Sequence, residues 1–441
     1  MTRLLETRRV LILVAFWSVL AWAAGVVTRI LGQQPIRPLQ PDQVDLEGGF
    51  WTPRLATNCQ VTVWHCIEQC AKTGRIANFA VAAGLEKGSF QGIFFNDSDV
   101  YKLIEGASWC LARHRDEKLE AYLERLIKLI AAAQEPDGYL YTARTIADPN
   151  YDFPGREARW SQLGASHELY NVGHLYEAAV AYWQATGRKN LLQVALKNAD
   201  LICQVFGPGP EQRKDVPGHQ EIEIGLVKLY QATGNEKYLK QAEFFLQMRG
   251  RSDVRPRLYG DYCQDHVPIT EQREAVGHAV RAGYLYAAMA DMAAIASRRD
   301  YRQTLHSIWE DVVYNKMYLT GGVGARADGE SFGRPYELPN ESAYSETCAA
   351  IAQMLWQQRM FLLEGDSRIY RCAGTHLVQR LSCRSLMDRR PLLLSQSVGV
   401  PRRGAFQPRD VWTERLVFLC LLPGEYRANR PANSVLGLCP A

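Results

Sequence analysis

Apolar residues recur at helical spacing through most of the chain, and they do so in paired segments. His174 to Gly187 reads HLYEAAVAYWQATG and runs on into RKNLLQVALKNADLI; Glu221 to Gly234 reads EIEIGLVKLYQATG and runs on into NEKYLKQAEFFLQM. Each pair predicts a helix, a short turn and a second amphipathic helix. Thr186 and Thr233 stand in matching Ala-Thr-Gly turns 47 residues apart. The Gly of each turn predicts a left-handed C-cap, which Gly adopts without a Cβ penalty. Looser copies run from Val100 to Arg113 into Leu119 to Ala133, from Tyr284 to Arg298 into Tyr301 to Asn315, and from Ala350 to Gly365. Helical hairpins at this period either stack as an open solenoid or close into a ring. The connectors decide between them. Glu135-Pro-Asp-Gly-Tyr-Leu-Tyr141 and the stretch from Gly321 to Asn340 are rich in Gly, Pro and Tyr, unlike the brief turns of a solenoid. Such segments build a site at one end of a barrel, so the expected fold is all-α, an (α/α)6 barrel over residues 48–368.

The first 27 residues follow a different pattern. Arg3, Arg8 and Arg9 precede an apolar run from Val10 to Val27 broken only by Ser18, and Ala21-Trp22-Ala23 offers a small-x-small cleavage site. Residues 1–27 are therefore expected to be a signal peptide, with an uncleaved membrane anchor as the alternative; both imply export, periplasmic or secreted. Residues 28–47, Pro-rich from Gln33 to Pro41, read as a linker. Apolar residues at 47% and charged residues at 22% exclude a disordered or fibrous chain. The net charge of +4 is unevenly spread: residues 369–441 hold eleven Arg, no Lys and four acids, or +7, and the difference leaves the rest at −3. A mildly acidic body without interleaved basic and aromatic residues excludes a nucleic-acid partner. Seven of the eleven Cys precede residue 369, without the close pairing of a small disulfide scaffold. Buried free thiols and a metal ligand are expected there, and no disulfide.

Two constellations carry candidate chemistry. His167, His219 and His278 each open or precede a helix, and the first two lie 52 residues apart, close to one repeat. Singly, each is an ordinary structural histidine; in register they would face one cavity and suit a hydroxyl-rich ligand. The second stretch runs from Gly329 through Asn340 to Ala350. Asn340 or Ser342 is expected to cap the helix that starts there. Glu346 and Cys348 would point about 200° apart in mid-helix, so they share one metal only if the helix start is irregular. By spacing alone Cys348 is a small core residue.

From Gly48-Gly-Phe-Trp51 through Phe95-Asn-Asp-Ser-Asp-Val-Tyr101 and Gln264-Asp-His266 to Glu346-Thr-Cys-Ala349, the chain resembles glycoside hydrolase family 127, the β-L-arabinofuranosidase family. The resemblance implies an (α/α)6 barrel followed by β-sandwich domains. It also implies removal, with retention, of β-linked L-arabinofuranose from a glycan or oligosaccharide. The family's zinc is held by a Glu, by the Cys of the Glu-Thr-Cys motif and by two adjacent Cys, the first of which is the nucleophile. Carried over, Glu346 and Cys348 are zinc ligands, and Glu330, 16 residues earlier, is the acid/base. His167, His219 and His278 line the sugar pocket, with Asn96 and Asp99 near it. Retention needs a nucleophile and an acid/base on opposite sides of the anomeric carbon, and zinc coordination lowers a thiol's pKa enough for a thiolate to serve.

The family's next features, a Tyr-Ile-Asp-Val-Leu-Glu-Arg helix and a Cys-Cys-Pro-x-Asn motif, do not occur. After Arg368 the helical pattern stops, and Cys372, Cys383, Cys420 and Cys439 stand apart. Read one nucleotide ahead, permitted codons turn residues 369–376 into Tyr-Ile-Asp-Val-Leu-Glu-Arg-Thr and residues 421–427 into Cys-Cys-Pro-Gly-Asn-Ile-Ala. Residues 369–441 are therefore expected to be an out-of-frame tail, leaving the barrel incomplete at its C-terminal end. The chain is then an inactive glycosidase that binds zinc weakly; a sugar-binding or scaffold barrel without catalysis is the alternative.

Overall fold

The computed structural model describes residues 48–375 and a few isolated positions before them. The expected signal peptide or anchor (1–27), most of the linker (28–47) and nearly all of the tail lie outside these residues. Among the described residues, twelve helices of eight residues or more form six consecutive hairpins. They are α1 Val63–Lys72 with α2 Arg75–Ala82, α3 Asp97–Arg113 with α4 Glu117–Ala133, and α5 Glu168–Thr186 with α6 Asn190–Val205. Then come α7 Ile222–Thr233 with α8 Glu236–Met248, α9 Ala279–Ile295 with α10 Arg299–Asp311, and α11 Thr347–Glu364 with α12 Ser367–Thr375.

The odd helices contact one another in succession, while α2, α4, α6 and α8 form an outer layer. Composition explains the sorting. Helix α5 buries every residue from Glu168 to Tyr182, so it needs neighbours all round. Helix α4 buries Leu119, Leu123, Leu126, Ile127, Ile130 and Ala133, one stripe at helical spacing, so it needs a partner on one side only. The result is the expected (α/α)6 arrangement, and among the described residues no helix is long and apolar enough to cross a membrane. Turns from odd to even helices are two or three residues long; the connectors from even to odd helices are much longer and gather at the opposite end.

Both Ala-Thr-Gly turns close as their sequence predicts. Gly187 and Gly234 take φ 72° and 70°, and the Thr186 and Thr233 hydroxyls donate to Tyr182 O and Leu229 O, each at 2.7 Å. Where α5 meets α7, a Cβ on Gly225 would stand 2.7 Å from Gly173 O. Gly225→Ala is therefore expected to destabilise the protein by about 1–3 kcal/mol, overriding the roughly 1 kcal/mol that Ala gains in helix propensity. A urea melt with an unchanged or raised midpoint would overturn that close approach.

Four features differ from the sequence reading. The first hairpin, α1 and α2, was not anticipated. Cys59 and Cys110 form a disulfide with Cα atoms 5.4 Å apart, against the expectation of none; the fold, not sequence spacing, brings the two together across 51 residues. Helix α11 starts at Thr347 with Glu346 as its extended N-cap residue, so neither Asn340 nor Ser342 caps it. Helix α12 runs on past Arg368 to Thr375, because Ile369 buries and the Tyr370 ring meets Phe361 at 5.0 Å.

Candidate active site

The long connectors deliver one side chain after another to the starts of the inner helices. His278 is the N-cap of α9, and its Nδ1 accepts from the backbone N–H groups of Val280 (3.1 Å) and Arg281 (3.3 Å). The proton of a neutral ring then sits on Nε2, 2.9 Å from Glu330 Oε2, so the imidazole donates to the carboxylate. Tyr344 Oη donates to the other carboxylate oxygen at 3.0 Å. Glu330 itself follows Gly329 (φ 61°) at φ 50°, a left-handed backbone that is costly for a residue with a Cβ. Pairing of Ser331 with both Arg326 and His278 holds it there, as does the Phe332 N–H bond to Gly277 O at 2.9 Å.

His167 and His219 complete a row. Their rings lie 5.5 Å apart, and His219 lies 5.5 Å from His278. His167 Nδ1 faces Ala165 O and His219 Nδ1 faces Gln220 O, each at 2.7 Å. A carbonyl only accepts, so both rings carry their proton on Nδ1 and present Nε2 as an acceptor. Phe95 stacks on His167 at 4.5 Å, Tyr170 lies 4.3 Å from His219, and Tyr262 lies 5.6 Å from His278. Two acceptors, a doubly supported carboxylate and aromatic walls suit a polyol.

Burial, and next the Arg281 guanidinium, pushes the His167 pKa down to about 3, although part of its ring meets solvent. Burial likewise lowers His219 and His278. An unfolded His titrates near ~6.5, so below that pH the unfolded chain takes up protons that these rings refuse, and each ring loses its stabilising effect as pH falls. Burial pushes Asp97 up to about 6 and Glu105 to about 7, which acts in the opposite sense. His167→Asn tolerates the left-handed φ of 58° and isolates the histidine. Its stability relative to wild type should rise between pH 7 and 5 in paired thermal melts; parallel curves would refute the shift.

Asn96 and Asp99 are buried and bonded to neighbouring connectors and helices. Asn96 donates to Gln91 O at 2.8 Å and accepts from Asn78, and Asp99 pairs with Arg75 Nε at 2.7 Å. Their link to the row is Phe95, next in sequence to Asn96. Glu346 is buried and Cys348 half-buried. As the N-cap Glu346 has ψ 163°, so the helical 200° separation does not apply to the pair.

Sequence reasoning missed Tyr344 and a deeper group. His174, Glu177 and Glu221 are buried beneath Tyr170, whose ring lies 4.6 Å from His174, with ligand-capable atoms within 4.8 Å of one another. Burial raises Glu221 well above the carboxylate range. Against the same push, Lys228 holds Glu177 below it. That ammonium is also 3.5 Å from Glu105 and balances the carboxylates of the group. His174 and Glu221 occupy matching positions of the 47-residue repeat, the one signal that would have paired them.

The β-L-arabinofuranosidase GH127 catalytic-domain family model matches residues 43–373. A non-reducing end β-L-arabinofuranosidase of Bifidobacterium longum subsp. longum is 39% identical over 315 residues, covering 67% of this chain and 47% of that protein. Among solved structures, a GH127 β-arabinofuranosidase superposes with TM-score 0.83 at 42% identity, over 89% of this chain and 62% of its own. A GH127 β-L-arabinofuranosidase from Geobacillus stearothermophilus T6 gives 0.71 at 40%, over 76% and 55%. The chain spans less than two thirds of the length of each of these relatives.

Proposed function

The chain belongs to the GH127 β-L-arabinofuranosidase family, and from that premise we propose that its pocket binds a non-reducing-end β-L-arabinofuranosyl group. The observation that carries the reading is the Glu330 carboxylate held between His278 Nε2 and Tyr344 Oη beside the row of histidines. Glu330 is the acid/base: it protonates the leaving oxygen, then takes a proton from the incoming water. His167 and His219 accept from sugar hydroxyls through Nε2. Asn96 and Asp99 keep Phe95 in place against His167.

Glu346 and Cys348 would supply two ligands to zinc. Bound zinc would supply Lewis acidity and a lowered thiol pKa, but such sites take four ligands and no adjacent cysteine pair occurs in the 441 residues. The donors present make half a site. The chain therefore binds the sugar without turning it over, because the nucleophile's motif is missing from residues 369–441. The N-terminal segment directs export.

Titration of the purified protein with methyl β-L-arabinofuranoside, followed by calorimetry, tests the pocket. Saturable binding that weakens about tenfold in His219→Ala, in line with loss of one buried hydrogen bond, is expected. Equal binding of the α-anomer, or no effect of the substitution, would sink the assignment.

A further inference from the structure

On the Tyr262 side of the histidine row lies a cleft of about 690 Å³, a volume typical of small-molecule sites, whose lining includes Tyr262 but none of the three histidines. Its lining holds four cations, Arg213, Lys214, Arg255 and Arg257, and one acid, Asp215. Arg255 is committed, with Nη2 2.9 Å from Asp215 Oδ1 and Nη1 2.7 Å from Asp265 Oδ1. Asp215 and Asp265 thus share the one Arg255 charge, and against the three remaining cations they leave the cleft net positive. Arg213 donates to Trp160 O and Lys214 to Gly209 O. Among the described residues, neither these two nor Arg257 forms an ion pair, and all three are exposed. The charge of this cleft runs opposite to that of the body, where residues 1–368 sum to −3, the difference between +4 and the tail's +7.

Three contacts join the cleft to the pocket. The Tyr262 ring is shared, 5.6 Å from His278. Ala165, also in the lining, provides the carbonyl that His167 Nδ1 bonds. Gly329, adjacent to Glu330, packs so close that a Cβ there would lie 3.4 Å from the Tyr262 ring. A carboxyl that protonates the leaving oxygen stands on the leaving-group side of the sugar. Tyr262 and the cleft behind it are therefore on that side.

We propose that this cleft binds the leaving-group portion of the substrate, and that this portion is an acidic glycan whose uronate carboxylates pair with Arg213, Lys214 and Arg257. The direction of the cleft rests on the sugar-pocket reading; its anion preference does not. Guanidinium groups fit carboxylates in two-point geometry, and the exposed Tyr262 ring, with Arg281 over one face at 4.4 Å, offers apolar surface to a pyranose ring. A neutral glycan would leave three cations without a counter-charge in a mildly acidic body.

The test is calorimetric titration of the full chain with trigalacturonate, its methyl ester and a sulfated oligosaccharide, alongside methyl β-L-arabinofuranoside. Trigalacturonate should bind, should weaken with added salt, and should exceed its ester by about tenfold, the worth of one charged pair. The exposed double substitution Arg213→Gln/Arg257→Gln should lower that affinity about tenfold while leaving the arabinofuranoside isotherm unchanged. Equal binding of ester and acid, or no effect of the double substitution, overturns the cleft assignment. Tighter binding of the sulfated probe overturns the choice of carboxylate. Loss of arabinofuranoside binding with trigalacturonate binding intact leaves the anion site standing and overturns only the pocket reading.

Discussion

Replacing residues 369–441 with the reading one nucleotide ahead, continued through the adjacent-cysteine motif, is expected to raise arabinofuranosidase turnover sharply. Against p-nitrophenyl β-L-arabinofuranoside the 441-residue chain should show turnover lower by roughly 10⁴–10⁶, the scale of removing a nucleophile that acts as part of a unit. The physical ground is the donor inventory. Glu330, Tyr344 and the three histidines come together from residues before the tail, yet none of them is the thiolate nucleophile that the family uses. Metal analysis gives a second readout: zinc should be well below one per chain in the 441-residue protein and near one in the completed chain. Comparable arabinose release from both proteins would defeat the account, and so would equal zinc content.

Within the completed chain, Glu330→Gln is expected to lower kcat by ~10²–10⁴, the usual share of general acid–base catalysis. The amide keeps the bulk and still accepts from His278 Nε2, so the pocket should persist and the binding isotherm change little. Its effect should depend on the leaving group. An alkyl arabinofuranoside needs a proton on the departing oxygen, whereas p-nitrophenolate does not, so the alkyl substrate should lose more in the first step. Equal losses on both substrates would demote Glu330 from proton donor to a positioning residue.

The barrel was legible because its repeat is written twice in nearly the same letters, at Thr186-Gly187 and Thr233-Gly234, and because each Gly has the one backbone its turn requires. The histidine row was legible in part: the 52-residue spacing of His167 and His219 lies close to the 47-residue repeat, and the rings are adjacent. The remainder was hidden for identifiable reasons. The Cys59–Cys110 bridge joins residues that share no local pattern. Tyr344 and Tyr262 reach Glu330 and His278 from connectors whose course depends on left-handed turns at Gly329, Glu330 and Ser345, and no periodicity encodes such turns. The basic cleft escaped because its four cations come from two stretches more than forty residues apart, each with acids nearby in sequence. Only the fold shows that Arg255 sits between Asp215 and Asp265 while the other three cations form no ion pair among the described residues. Helices α1 and α2 are short, and a π-turn at Asn58–Thr62 precedes them, which blurs the 3.6-residue period.

The alternation of short turns and long connectors has a further consequence. Because every long connector precedes an inner helix, α3, α5, α7, α9 and α11 all start at the same end of the barrel, and their macrodipoles point their positive poles at one place. Each pole amounts to roughly half a positive charge. Together they favour negative charge close to the helix starts. The barrel thus supplies from its backbone alone a standing positive potential over the pocket, one that no side-chain substitution would remove.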